Sequence, residues 1–253
     1  VADYRMDQIQ RLLNVHFYPG SEMNADSIRD FGADHVALAT GAHWRRDGVG
    51  RATWRSVDGV ANHPAILTPD DILSGQQPES GPVVIYDDDH YYLGGVIAEV
   101  IAQSGQPVTL VTPGPEVSHW TQNTMEQHRI EQRLIESGVD LVCKQVLASV
   151  SADAVEIKCV TSDRRRSLPC AALVLVTARL PENTLYFSLA GTDEDQLETL
   201  PFSLTRVGDC MAPGTIAAAV YHGHRYAREL DELPDPDGVP FKREYSLIQT
   251  ALT

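Results

Sequence analysis

The chain has 253 residues, 43% of them apolar and 22% charged, with 20 Lys and Arg against 35 Asp and Glu and a formal charge of −15. That composition is close to average for a globular protein and does not point to a disordered chain, and a field of that sign opposes general binding to nucleic acid or to an anionic membrane surface. The longest apolar run, Cys170 to Val176, has the length of a strand and falls far short of the ~18 residues that span a bilayer.

The start, Val1-Ala2-Asp3-Tyr4-Arg5, lacks the basic, apolar and small-residue order of a signal peptide and lacks an initiator Met, as expected of a fragment or a processed product. Cys143, Cys159, Cys170 and Cys210 form no C-x-x-C, so a local zinc site or iron–sulfur cluster is not expected; reduced, mostly buried thiols in a cytoplasmic protein fit that usage. The basic run Arg164-Arg165-Arg166 reads as a solvated hairpin tip.

In chain order, helical spacing of Met6, Ile9, Leu12 and Leu13 predicts a helix over 4–13, and the alternating Val15-His16-Phe17-Tyr18 predicts a strand ended by Pro19-Gly20. Asn24 to Ile28 offers capping residues for a short helix, and His35 to Ala42 reads as an apolar strand running into a small-residue turn. Arg45 to Gly81 is rich in Gly, Pro, Asp and Arg and reads as a long connection, with a helix start at Thr68-Pro69-Asp70-Asp71. Pro82 to Tyr86, Leu93 to Ser104 and Pro107 to Thr112 form a strand–helix–strand unit with a parallel sheet. A long helix over 123–137 follows, then a hairpin of 145–150 and 154–160 and a buried strand over 172–177. Thr205 to Asp209 reads as a short strand entering a turn, and Pro213-Gly214 opens a helix from Thr215 to about Leu230. The Pro- and Asp-rich remainder from Pro234 reads as a surface tail.

The turn after the strand at residue 83 is where a dinucleotide normally sits, on a G-x-G-x-x-G that brings backbone close to pyrophosphate. Here the strand enters Asp87-Asp88-Asp89-His90-Tyr91-Tyr92-Leu93-Gly94-Gly95, and only the last glycine of the pattern has a counterpart, Gly94. Three carboxylates oppose the positive end of the following helix, each full charge pair costing roughly 2 kcal/mol at ~7 Å and an effective dielectric of ~20. Loss of nicotinamide binding is the expectation. A divalent-metal cluster at Asp87–Asp89 is the lesser reading, because consecutive turn residues rarely converge on one ion.

Three separated motifs carry a resemblance. Ala39-Thr40-Gly41-Ala42 resembles the A-T-G-A strand end of the two-dinucleotide-domain flavoproteins. Thr177-Ala178-Arg179-Leu180-Pro181 resembles their T-G-R-x-P, with Ala178 for Gly, and Val207-Gly208-Asp209 with Gly214-Thr215-Ile216-Ala217-Ala218-Ala219 resembles their G-D…A motif. Together with the acidic turn, His43 to Gly48 and Trp120 to Thr124, the chain resembles the C-terminal region of the trimethylamine, dimethylamine and histamine dehydrogenase family, iron–sulfur flavoproteins related to dienoyl-CoA reductase.

The resemblance implies an α/β chain of two Rossmann-like, three-layer domains of the FAD/NAD(P)-binding, disulfide-reductase type, the first incomplete at its N-terminus. Residues 1–80 with 181–253 would form the ADP/FAD-binding-like domain, and residues 81–180 the small NAD-like domain with the degenerate turn. It implies ADP or FAD at Thr40, Gly41, Ala42, Trp44, Gly208, Asp209, Thr215 and Ile216. FMN on a (β/α)8 barrel and a 4Fe–4S cluster would lie in an N-terminal part outside this sequence. Its partners would be that barrel region, an electron-transferring flavoprotein and a second full-length copy, with neither nucleic acid nor membrane. The function implied is the nucleotide-binding and structural portion of an amine dehydrogenase, with no catalytic or metal-ligating residue in this chain. The competing readings are an NAD(P)H-dependent FAD oxidoreductase of the dienoyl-CoA reductase type, which needs a working turn near Asp87, and a non-catalytic interaction module. Arg45 and Arg46 would face a nucleotide or lie on a surface loop, whereas Trp120 reads as packing, and His222 and His224, two apart on a helix, as structural or solvated.

Overall fold

The structure, a computed structural model, describes residues 2–191 and 200–230. The described elements are α1 (Ala2–Gln10), α2 (Ala25–Phe31), β1 (His35–Leu38), β2 (Ala42–Trp44), β3 (Ile66–Leu67), α3 (Pro69–Leu73), β4 (Val83–Asp87), α4 (Leu93–Gln103), β5 (Val108–Val111) and α5 (Gln127–Glu136). They continue with β6 (Asp140–Val142), β7 (Gln145–Val150), β8 (Ala154–Cys159), β9 (Arg165–Pro169), β10 (Ala172–Val176), β11 (Arg179–Pro181), α6 (Thr184–Ala190), β12 (Ser203–Arg206) and α7 (Ile216–Glu229). None of the described helices is long and apolar enough to cross a membrane. The tail read from Pro234 lies outside the described residues.

The chain divides into two compact units, residues 1–40 with 183–211 and 216–253, and residues 41–182 with 212–215. The second unit is built on a parallel sheet in the order β3-β10-β4-β5-β6. Every residue of β4 and β10 is buried, as continuous apolar runs require when both faces of a strand are covered. Side chains alternate between the faces. Val83 and Ile85 join Ile97, Ile101 and Leu134 of α4 and α5, whereas Val84 and Tyr86 join Leu147, Val155 and Ile157 of the antiparallel sheet β7-β8-β9. Arg165 and Arg166 lie exposed on β9 itself.

The segment 45–81 does not behave as a connection between units. Its Leu67 and Ile72 pack on the helix side of the sheet and its Val57 and Val60 on the other, and β3 adds to the edge of β10. The compact unit around the large sheet therefore carries residues 41–80 with it. α3 starts where Thr68 and Asp71 form a capping box, Thr68 N–H donating to Asp71 Oδ2 at 2.7 Å.

In the first unit β1 and β12 pair in parallel, His35 opposite Ser203 and Leu38 opposite Arg206. Ile28 of α2, Leu38, Leu189 of α6, Phe202 and Cys210 form its described core. α2 is capped by Asn24, which accepts from Ser27 N at 2.9 Å, and ends on Gly32 in the left-handed region.

Several elements differ from expectation, among them residues 15–18 and the helix expected from 123. Residues 15–18 alternate in polarity but pair with no strand among the described residues, so they remain irregular. The helix expected from 123 starts at Gln127, because Met125, at φ 59°, breaks the right-handed path between a 3-10 turn at His119–Thr124 and α5.

The expectation of two Rossmann-like FAD/NAD(P)-binding domains is corrected. A dinucleotide-binding domain carries a glycine turn after its first strand and a full open parallel sheet. Here the turn after β4 is acidic, and the described part of the first unit holds a two-stranded parallel sheet.

Candidate functional site

Parallel sheets present ligand-binding crevices beyond the carboxyl ends of their strands. At the ends of β4 and β5 three loops meet around a cleft of about 280 Å³, lined among others by Arg51, Asp88, His90, Pro113, His119 and Trp120. The first loop follows β4. Asp87 Oδ1 accepts from the backbone N–H of Asp89 at 3.1 Å and of His90 at 3.0 Å, which folds the chain back toward α4. Gly94 lies against the same carboxyl group; a Cβ there would stand 2.8 Å from Asp87 Cβ and closer still to its carboxylate.

Asp88 faces another way. Its Oδ2 accepts from Ala52 N–H at 2.8 Å, and its Oδ1 lies 3.3 Å from His90 Nε2. His90 adopts φ 64°, unusual for a residue with a side chain, and its Nδ1 lies 3.3 Å from Thr112 Oγ1 at the end of β5. Trp120 N–H donates to His90 O at 3.0 Å, tying the third loop to the first. The Arg51 guanidinium lies 4.3 Å from the Trp120 ring centroid, with Nη2 3.8 Å from Asp89 Oδ1.

Burial pushes the Asp87 carboxyl up to about 7, the two backbone amides on Oδ1 and the nearby His90 offsetting part of that cost. Burial also raises Asp89, against the pull of Arg51 and Arg179. Burial thus favours the protonated form of Asp87, which weakens the expected repulsion among the three carboxylates. Within the turn, the Asp89 and His90 amides are bonded to Asp87, and from the facing loop the Ala52 amide is bonded to Asp88. Asp87 and Asp88 diverge onto different partners, and no group of three or more His, Cys, Asp or Glu side chains that would hold a metal occurs among the described residues.

The predicted site residues divide between the units. Thr40, Gly208, Asp209 and Ile216 belong to the first. There Gly208, at φ 68°, opens a 3-10 turn containing Asp209, and Val207 N–H donates to Leu38 O at 2.8 Å. Ile216 begins α7 with its side chain exposed. Gly41, Ala42, Trp44 and Thr215 belong to the second unit. Ala42 and Trp44 lie on β2, antiparallel to β11, and Gly41, at φ 82°, accepts on its carbonyl from Glu182 N–H at 2.9 Å. Trp44 is 7% exposed and packs with Leu67 and Ile72 beneath the Arg179 guanidinium, so its ring is a core group here. Arg45 pairs with Asp47 at 2.5 Å, and Arg46 pairs with Asp71. Arg179 donates to Gly214 O at 2.6 Å.

The cleft itself was not legible from the motifs. Arg51 and Ala52 lie in the segment read as a connection, and Trp120, read as packing, is 43% exposed on the cleft wall. The closely spaced Gly48 and Gly50 were the available signal. A Cβ at either would collide, with Val57 and with Asp88 respectively.

Residues 67–169, from the end of β3 through β9, match the family model described as the OYE-like second alpha/beta domain and not a FAD/NAD(P)-binding domain. The chain is 29% identical over 273 residues to dimethylamine dehydrogenase of Hyphomicrobium sp. (strain x), an alignment covering 98% of this chain and 37% of that protein. It is similar in structure to histamine dehydrogenase from Rhizobium sp. 4-9, with a TM-score of 0.89 and 42% identity over 97% of this chain and 38% of that one. It is also similar to 6-hydroxypseudooxynicotine amine oxidase from Pseudomonas geniculata N1, with a TM-score of 0.83 and 39% identity over 88% of this chain and 33% of that one. The chain thus spans little more than a third of the length of these relatives.

Proposed function

We propose, for a chain that is homologous to dimethylamine dehydrogenase and histamine dehydrogenase, that it is part of a larger amine-oxidising oxidoreductase and supplies a structural α/β portion of it. The observation that carries this reading is the likeness to histamine dehydrogenase over nearly the whole of this chain. The reaction assigned to the whole protein is oxidative N-demethylation or deamination of a small amine.

Bound in segments outside this sequence, FMN and a 4Fe–4S cluster supply the redox chemistry. The residues here do not fit such a cluster: Cys170 and Cys210 are buried, and none of the four cysteines joins a ligand group among the described residues. No catalytic step is assigned to this chain. Its own contribution is a buried parallel sheet whose turn after β4 is acidic and bonds the Asp89 and His90 amides to Asp87. That supports an acceptor other than nicotinamide, an electron-transferring flavoprotein, and a second full-length copy is the proposed further partner.

The test is turnover by the full-length protein that carries this chain, offered histamine, dimethylamine and trimethylamine with a redox dye as acceptor. The expected result is amine-dependent dye reduction with no consumption of NAD(P)H. Oxidation of NAD(P)H without amine turnover would assign the protein to the dienoyl-CoA reductase type and overturn the proposal.

A further inference from the structure

The loop that forms one wall of the cleft has a structure of its own. Its base is set by Asp47, which accepts from Arg45 Nε at 2.9 Å and from Val49 N–H at 3.1 Å, and whose carbonyl accepts from Val57 N–H at 2.9 Å. Its tip is closed by Gly50 N–H donating to Thr53 O at 2.8 Å. From that tip Ala52 N–H reaches Asp88, and Arg51 reaches Asp89 and the Trp120 ring. Gly50 lies so close to the Asp88 carboxylate that a Cβ has no room, its would-be position being 3.0 Å from Cγ and nearer still to Oδ2.

The polarity of these contacts is the reverse of a coenzyme site. In a dinucleotide crevice the turn supplies N–H donors and the ligand brings the anion. Here the turn supplies the carboxylates, Asp88 being wholly buried, and the loop brings an amide and a guanidinium. We propose that residues 50–53 are a built-in strap that occupies the crevice beyond β4 as an internal ligand, with Asp88 as its receptor. Exclusion of nicotinamide coenzyme then comes from occupancy as well as from charge. This deepens the proposed function and rests on its reading of a non-nicotinamide acceptor.

The experiment is hydrogen–deuterium exchange of the full-length protein, followed in peptides covering residues 49–54. In the wild type that segment exchanges slowly. Asp88→Ala removes the acceptor, and Gly50→Ala drives the strap off from its own side while leaving the sheet untouched. Each is expected to speed exchange there by about tenfold or more, while Asp88→Asn, which keeps a carbonyl oxygen for the Ala52 N–H, stays within about threefold of the wild type. Equal exchange in the wild type, Asp88→Ala and Gly50→Ala overturns the proposal, as does Asp88→Asn behaving like Asp88→Ala. NADH that binds the wild type and further slows exchange of the strap also overturns it, since strap and coenzyme compete for one crevice. Amine-driven dye reduction is the separate readout of the parent reading and does not depend on strap exchange.

Discussion

Asp87 and Asp88 are neighbours, both are wholly buried, and their environments give them different roles. Asp87 bonds the turn to itself and rests against Gly94, while Asp88 holds a distant segment. An acid whose native pKa lies above its unfolded value binds its proton more tightly when folded. Its stabilising contribution is then complete below about pH 4, the unfolded value, and is lost as pH rises through the native value of about 7. Asp87→Asn copies the protonated acid and keeps the acceptor for the Asp89 and His90 amides. It is expected to be at least as stable as the wild type at pH 8, with an advantage that shrinks at pH 5 and is gone only below about pH 4, as read from urea midpoints. A midpoint difference independent of pH would contradict the assignment. The three acids were visible in the sequence; which of them faces α4 and which faces Ala52 was not, because successive residues in a turn take directions that only the packed loops define.

At the scale of elements, the βαβ unit of β4, α4 and β5 was fully legible, since continuous buried strands and an amphipathic helix between them are local patterns. Gly94 is the point of closest approach in that unit. Its position in the first turn of α4 lets the helix approach the end of β4, and Gly94→Ala forces a methyl group into the Asp87 carboxyl. The expected cost is about 1–3 kcal/mol, that of overpacking a close contact, read as a lower thermal midpoint. An unchanged midpoint would show that the helix can shift without loss. By contrast β3 and the 45–81 segment escaped local reading. A two-residue strand has no period to detect, and β3 exists because the exposed edge of β10 offers it a ladder. Residues 15–18 show the converse, an alternating pattern left without a partner strand.

For the molecule as a whole, the two units differ in how much apolar surface they bury. The second has two large clusters, in which Tyr86, Ile97, Leu110 and Leu173 are wholly buried. The described core of the first comprises Ile28, Leu38, Leu189, Phe202 and Cys210, and α7 buries none of its residues. Opening free energy follows buried contact density. Amides of β4, β5 and β10 are therefore expected to exchange only through global unfolding, and those of β1, β12 and α2 by cheaper local opening. Native-state hydrogen exchange measures this directly, and equal protection in both units would refute it.

The sequence by itself determined the buried parallel strands, the missing coenzyme glycines and the resemblance to the amine dehydrogenases, because each is written in local order along the chain. Tertiary structure alone decided that residues 41–80 belong with the large sheet and that Trp44 is a core residue. It also decided that the acidic turn is bonded to Ala52 and Arg51. Those outcomes depend on contacts between residues far apart in sequence, where direction and distance in space, not neighbouring residue types, settle which partner each group finds.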